Sequence, residues 1–308
     1  MSNTKAIGID LGGTNVRAAL VAPDGEVLRK LKEPTTDKVM DTLSSMVEGL
    51  MEDGVAGVGI GAAGLIDKGA KSVILAPNIP AISGRSFDGL IKGLPIFIEN
   101  DANAAALGER WLGAGREFES FALMTLGTGI GGGFIHRGRL LNVAAEVGHM
   151  SVEQGGRKCP CGGNGCLEMY ASARAITDAV TKAIESGGQS ILKESSKGNI
   201  YKLTPEDIFK AAFEGDNLAR EAMREAGRYL GVGIANLINI MSPKAVILAG
   251  GLTGAWDIYI KEAIKEAQKR AFKSLFEAAT IAQASLGDDA GILGAAYLVF
   301  HGEEAYIC

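Results

Sequence analysis

Apolar residues along the first third of the chain fall into short strand-like runs and stretches at helical spacing. Ala6 to Asp10 reads as a buried strand, the run from Leu11 to Asn15 as a glycine turn, and Val16 to Ala22 as a second strand. Pro23-Asp24-Gly25 is a turn by composition, with a third strand reaching Leu28. Val39, Leu43, Val47 and Leu50 then fall at helical spacing, which predicts a helix within 36–53. Residues 55–64 return to a strand that ends in glycines, 95–100 form a short buried strand, and the alanine-rich run 101–112 predicts a helix. Strands and helices in alternation mark an α/β domain.

A second strand–turn–strand begins at Phe121, and Asp10 to Thr14 aligns with Thr125 to Gly129, a separation of 115 positions. Two related domains would explain one such pair; a solenoid needs more copies. The later chain is mostly helical. Helices are expected over Ser172 to Ser186, from Thr204-Pro205-Glu206-Asp207 onward, over Arg220 to Met241, over Trp256 to Lys273 and over Ala290 to Phe300. A strand at 244–251 runs into two glycines, and a surface loop is expected around 186–199. The expected division is a small α/β domain from 1–112 plus 294–308 and a larger one from 113–293.

Composition narrows the function. The net charge of −5 and the lack of a basic stripe exclude a nucleic-acid binder, and no apolar run approaches the ~18 residues of a membrane span. No basic and apolar leader precedes the first strand, and three of the four cysteines crowd into 159–166, so a cytoplasmic chain without a disulfide framework is expected. Glycine is the outlier, 43 of 308 residues, about twice the usual ~7%.

The glycines cluster in turns suited to phosphate, where several N–H groups converge without side chains in the way. In the first turn Gly12 and Gly13 expose backbone, Thr14 adds a hydroxyl, and Asp10 can hold a hydrated Mg²⁺. Gly127, Thr128 and Gly129 repeat the arrangement, and Gly250-Gly251 follows a strand. Either turn alone is equally consistent with a hairpin that needs positive φ. The P-loop and Rossmann fingerprints are absent. Asp10-Leu11-Gly12-Gly13-Thr14-Asn15, the later G-T-G-I-G-G-G and the late A-G-G resemble the sugar kinase, heat-shock protein and actin ATPase superfamily. That resemblance implies two RNase H-like domains with ATP in the cleft between them, held by two phosphate hairpins and an adenosine-contacting glycine pair.

Two further constellations carry chemistry. Glu99-Asn100-Asp101 sits where a strand meets a helix, so Asn100 or Asp101 would cap that helix. Asp101 could also accept the proton of a hydroxyl attacking phosphorus, and Asn100 could bond sugar hydroxyls. His149, Cys159, Cys161 and Cys166 have the spacing H-x9-C-x-C-x4-C, a closed tetrahedral Zn²⁺ set suited to a structural role.

With E-N-D-A-N-A-A, the His-Cys segment resembles the ROK family (repressor, open reading frame, kinase), and within it the bacterial-type glucokinases, from Lys5 to about Phe300. The resemblance implies that Asn100, Asp101, Glu146, His149 and Glu168 hold sugar hydroxyls, that Asp101 is the catalytic base, and that Gly64 and Asn78 lie near the sugar. It also implies a homodimer or tetramer. Two positions depart from the family pattern: Ala63 stands where a proline is frequent, and Asn78 to Ile82 lacks the tryptophan of N-L-P-x-W. The expected function is ATP-dependent phosphorylation of a hexose at its 6-hydroxyl, glucose first, with N-acetylglucosamine, N-acetylmannosamine, fructose, mannose or allose as alternatives. A sugar-responsive repressor is disfavoured, since only four residues precede Lys5, and an actin- or chaperone-like ATPase is disfavoured by the Asn100-Asp101 pair.

Overall fold

A computed structural model of the chain describes residues 4–195 and 199–307. In chain order the elements are β1 (Lys5–Leu11), β2 (Asn15–Val21), β3 (Val27–Pro34), α1 (Val39–Leu50), β4 (Val55–Ala62), β5 (Leu65–Asp67), β6 (Ser72–Leu75), β7 (Ile96–Asn100), α2 (Asp101–Leu112), β8 (Phe121–Leu126), β9 (Ile130–His136) and β10 (Arg139–Leu141). There follow α3 (Glu168–Ala171), α4 (Ala173–Glu185), α5 (Leu192–Ser195), α6 (Pro205–Glu214), α7 (Asn217–Met241), β11 (Ala245–Ala249), α8 (Lys261–Arg270), α9 (Lys273–Ala278), β12 (Thr280–Gln283), α10 (Ala290–His301) and β13 (Tyr306–Ile307). These form two compact units. Unit one takes the chain up to Leu123, Gly132–Ala145, and the chain from Ala284 onward; unit two takes Met124–Gly131 and Glu146–Gln283.

Unit one is built on a five-stranded sheet in the order β3-β2-β1-β4-β7. β1, β4 and β7 run parallel, while β1–β2 and β2–β3 are antiparallel hairpins. Side chains alternate across a strand, so β1 sends Ile7, Ile9 and Leu11 to the face covered by α1, where they pack with Leu43 and Val47. Ala6 faces the other way, toward Ile292 and Ala296 of α10. That second face is planed by glycines: a Cβ at Gly8 would stand 2.1 Å from the Ile292 carbonyl oxygen, and one at Gly59 1.8 Å from that of Ala295. α10 therefore rests on bare backbone. In the same unit β9 pairs antiparallel with β10, and β10 parallel with β13.

Unit two is organised by α7, whose buried face includes Met223, Leu230, Ile234 and Ile238, packed with α3, α4, α6 and α8. β11 is buried along its length and pairs parallel with β12. Thr204 and Asp207 form a reciprocal capping box on α6, and Gly215 ends that helix in the left-handed region.

Two expectations change. The helix expected over 256–273 is a π-helical turn at Trp256–Ile260 followed by α8, which stops at Arg270. Phe272 N–H donates to Asn239 Oδ1 at 2.7 Å, drawing the chain off the helix before α9 begins. The loop expected around 186–199 contains the single turn α5, anchored where Ile191 N–H donates to Asp216 Oδ2 at 2.8 Å; residues 196–198 of that loop lie outside the described residues. Among the described residues no helix is long and apolar enough to cross a membrane.

Candidate functional site

In unit one the chemistry-bearing residues collect at the carboxyl ends of the parallel strands, where open α/β sheets place their ligands. Register puts Asp10 beside Gly61 and Gly61 beside Glu99. Asp10 is also the cross-strand partner of Arg17, whose Nη1 lies 3.2 Å from Asp10 Oδ2, while Nη2 lies 3.0 Å from Asp288 Oδ2. Burial raises the Asp10 carboxyl to about 6; the Asp101 carboxylate pushes the same way and Arg17 opposes both. Asp10 and Asp101 are thus close enough to feel each other's charge.

The first turn is braced from β3 and the residue after it. Thr35 Oγ1 donates to the Gly12 carbonyl at 2.7 Å and Thr35 N–H to that of Thr14 at 2.9 Å. Neither Gly12 nor Gly13 has positive φ, so the hairpin does not need glycine for its backbone shape. Thr14 and Gly13 are exposed, Asn15 opens β2, and a Cβ on Gly13 would touch the Asn78 side chain at 3.5 Å.

Asn100 is the N-cap of α2. Its Oδ1 accepts from the amides of Ala102 (2.9 Å) and Asn103 (3.2 Å), and its Nδ2 donates to the Gly64 carbonyl at 3.1 Å. The cap thus falls to Asn100, whose amide retains one further N–H for a ligand. Gly64 is tied to its place: φ is +126°, and a Cβ would meet the Leu75 carbonyl oxygen at 2.4 Å. Asp101 occupies the first helical position, with Oδ1 2.9 Å from the Ala102 amide.

Behind this pair lies Glu99, 1% exposed, which the sequence reading left without a role. Its Oε1 accepts from Asn100 N–H (2.8 Å) and from Asn103 Nδ2 (3.1 Å). Its Oε2 pairs with Lys68 Nζ at 2.5 Å, and that ammonium also lies 4.2 Å from the Tyr306 ring centre. No sequence signal ties positions 68, 99 and 306 together; only the fold does.

In unit two Gly250, with φ +92°, presses on the strand before the second glycine turn: a Cβ there would stand 2.5 Å from the Leu126 carbonyl oxygen. The fold thereby brings Gly250-Gly251 beside Gly127, and around both Gly127 and Gly251 there is open space. Thr128 sits at the tip of the turn, between Gly127 and Gly129, with Gly127 N–H donating to the Gly129 carbonyl at 3.0 Å.

The four donors of the His-Cys loop converge. His149 Nδ1, Cys159 Sγ, Cys161 Sγ and Cys166 Sγ all lie within 4.8 Å of one another, with His149 Nδ1 3.6 Å from Cys159 and Cys161 3.6 Å from Cys166. Tetrahedral zinc with bonds of about 2.3 Å would set its sulfurs roughly 3.8 Å apart, so this donor set fits the ion. Gly163 N–H donates toward Cys161 Sγ, holding that thiol below the usual range, while burial lifts Cys166 to about 12. The other imidazole nitrogen, Nε2, lies 3.8 Å from Glu146 Oε2. Burial raises the Glu146 carboxyl, with His149 opposing and Glu168 adding to the rise. Glu146, His149 and Glu168 therefore form one group in unit two.

Known proteins are similar to this chain along nearly all of its length. A sequence model of the ROK family matches residues 6–301. A glucokinase of Halalkalibacterium halodurans is 34% identical, with 99% of this chain and 98% of that protein aligned. A crystal structure of a ROK family glucokinase from Streptomyces griseus in complex with glucose and AMPPNP superposes with a TM-score of 0.83 at 34% identity, covering 97% of this chain and 100% of that one. A xylose repressor of Caldicellulosiruptor bescii is 32% identical over 95% of this chain and 77% of its own length. The fold is thus the α/β type of the actin and hexokinase superfamily, and the chain belongs to the ROK family.

Proposed function

We propose that the protein is an ATP-dependent hexose kinase that phosphorylates the 6-hydroxyl, with glucose as the first substrate. The observation that carries this reading is the placement of Asp101 at the first turn of α2, beside the Asn100 cap and the half-buried Asp10, in a family whose solved relative is described with glucose and AMPPNP. In this reading the hexose contacts are Gly64, Asn78, Asn100, Asp101, Glu146, His149 and Glu168. Asp10, Gly12, Gly13, Thr14, Asn15, Gly127, Thr128, Gly129, Gly250 and Gly251 are the nucleotide contacts.

In the reaction the 6-hydroxyl oxygen bonds to the γ-phosphorus as the bond from that phosphorus to the β–γ bridging oxygen breaks. Asp101 orients the hydroxyl and takes its proton, and ADP leaves. Asp10, half-buried and only partly neutralised by Arg17, is the carboxylate suited to a cation. Mg²⁺ bound there through water would offset charge on the phosphates. His149, Cys159, Cys161 and Cys166 would hold Zn²⁺, which would cross-link the loop that carries Glu146, His149 and Glu168. Through Nδ1 on the metal side, His149 keeps Nε2 for a hydroxyl.

The same fold also serves regulators, so sugar binding without turnover is the second reading; the xylose repressor relative favours it. A coupled ADP-release assay with MgATP against glucose, mannose, fructose, N-acetylglucosamine and N-acetylmannosamine separates the two. Turnover dependent on one sugar supports the kinase. Sugar binding with no ADP release from a folded, zinc-loaded sample supports the regulator.

A further inference from the structure

Three close approaches in unit two meet at the second glycine turn, two of them on one residue, Ile130. Its N–H donates to Glu168 Oε2 at 2.9 Å. Its carbonyl oxygen is packed so closely by Gly148, the neighbour of His149, that a Cβ on that glycine would stand 2.1 Å from it. At the other end of the turn, Ala173 N–H donates to the Gly127 carbonyl at 2.9 Å. Glu168 and Ala173 are five positions apart, at the starts of α3 and α4.

Gly129 is explained by the same contact. Its φ is not positive, yet a Cβ there would stand 2.4 Å from Glu168 Oε2. The glycine makes room for a carboxylate. A carboxylate set against a turn read as a phosphate cradle is unexpected if the turn were only an anion site. Here it takes one amide, that of Ile130, while Gly131 N–H donates to Thr125 Oγ1 at 3.1 Å. Among the described residues no hydrogen bond engages the amides of Thr128 and Gly129, which remain at the tip.

We infer that Glu168 is a positioning residue for the second glycine turn as well as a hexose contact, so that hexose and nucleotide binding are coupled through the Glu168–Ile130 bond. This rests on the hexose and nucleotide assignments proposed above. Oε2 is committed to the turn, and Oε1 carries no hydrogen bond among the described residues, leaving it for a sugar hydroxyl. A hydroxyl bound to Oε1 restrains the carboxylate, the carboxylate restrains Ile130, and Gly127 to Gly129 sample fewer conformations before nucleotide arrives. The nucleotide then meets a turn that is already ordered, which is positive coupling and acts equally in the reverse direction.

The test is calorimetric binding of AMPPNP with Mg²⁺ to the full-length, zinc-loaded protein, without and with saturating glucose, with ligand-free thermal denaturation as the check on folding. Glu168→Gln keeps an oxygen for the Ile130 amide; Glu168→Ala does not. Glucose should tighten AMPPNP binding to the wild type roughly ten-fold. Without glucose, Glu168→Ala should bind AMPPNP roughly ten-fold more weakly than wild type, and Glu168→Gln within about three-fold. Should the alanine variant fail to fold, Gly129→Ala, which displaces the carboxylate without removing it, should abolish the effect of glucose on AMPPNP. Unchanged sugar-free AMPPNP binding in Glu168→Ala, or no effect of glucose on the wild type, would overturn the coupling while leaving the kinase reading intact. A wild type that binds no AMPPNP would overturn the nucleotide assignment and the coupling together.

Discussion

Lys68 Nζ lies 2.5 Å from Glu99 Oε2, and Glu99 is 1% exposed. The other oxygen of that carboxylate holds the backbone N–H of Asn100 and the side chain of Asn103. Glu99, next to Asn100 and Asp101, is thus a buried carboxylate whose one cationic partner among the described residues is the partly exposed Lys68. Breaking a buried pair from one side leaves the remaining charge uncompensated. Lys68→Met should therefore destabilise the protein by about 3 kcal/mol, and Lys68→Met/Glu99→Gln by less than Lys68→Met alone. Urea unfolding of wild type and the two variants at pH 7 measures this; a double variant no more stable than Lys68→Met would contradict it.

Asp10 predicts a pH dependence of definite sign. Its carboxyl is raised to about 6 from an ordinary value near 3.8, chiefly by burial. A raised acid binds its proton more tightly in the folded state, so it favours folding below pH 4 and that contribution is lost as pH rises to about 6. The span corresponds to roughly 3 kcal/mol. Compared with wild type, Asp10→Asn should flatten the fall in stability between pH 4 and pH 6, read from urea midpoints. A parallel pH profile in the variant would show that Asp10 is not the titrating group.

The His-Cys loop predicts one zinc per chain by elemental analysis. Cys159→Ser or Cys166→Ser should lose the metal and lower the melting temperature, because a structural site links metal affinity to folding. Arg157 and Tyr170 brace the loop from the side, with Arg157 N–H 2.6 Å from Tyr170 Oη and the guanidinium 4.6 Å from the ring centre. The rest of unit two should therefore stay folded after chelation. Metal-free protein with an unchanged melting temperature would contradict the structural role.

Gly59→Ala tests the contact between sheet and helix in unit one. The added methyl would stand 1.8 Å from the Ala295 carbonyl oxygen, against helix backbone that has no side-chain freedom with which to yield. A loss of about 3 kcal/mol is expected. Wild-type stability would mean that α10 does not sit so close to the sheet.

Much of unit one is legible because its signals are local. The apolar run from Ala6 to Asp10, the helical spacing of Val39 to Leu50 and the cap before Ala102 each lie within a few residues. The threonine cap at Thr204 is legible for the same reason, and the structure extends it to a capping box with Asp207. The hairpin of β5 and β6 is not legible: its strands are three and four residues long, and Leu65, Ile74 and Leu75 are exposed, so no burial period marks it. The stop at Arg270 depends on Asn239, far away in sequence. In the candidate site, the His-Cys spacing and the glycine turns are visible in one dimension. The Arg17–Asp10–Asp288 and Lys68–Glu99–Tyr306 groups are assembled only by strand register and by the return of the C-terminal segment to unit one.

In the proposed reaction Asp101 takes a proton from a bound hexose during phosphoryl transfer. Asp101→Asn keeps the size of the side chain and an oxygen for the Ala102 amide but removes the base. The decisive measurement is single-turnover formation of hexose 6-phosphate from MgATP, alongside calorimetric glucose binding to the same samples. Glucose binding within a few-fold of wild type and a phosphoryl-transfer rate at least about 100-fold lower is the predicted result. Wild-type transfer by Asp101→Asn would contradict it.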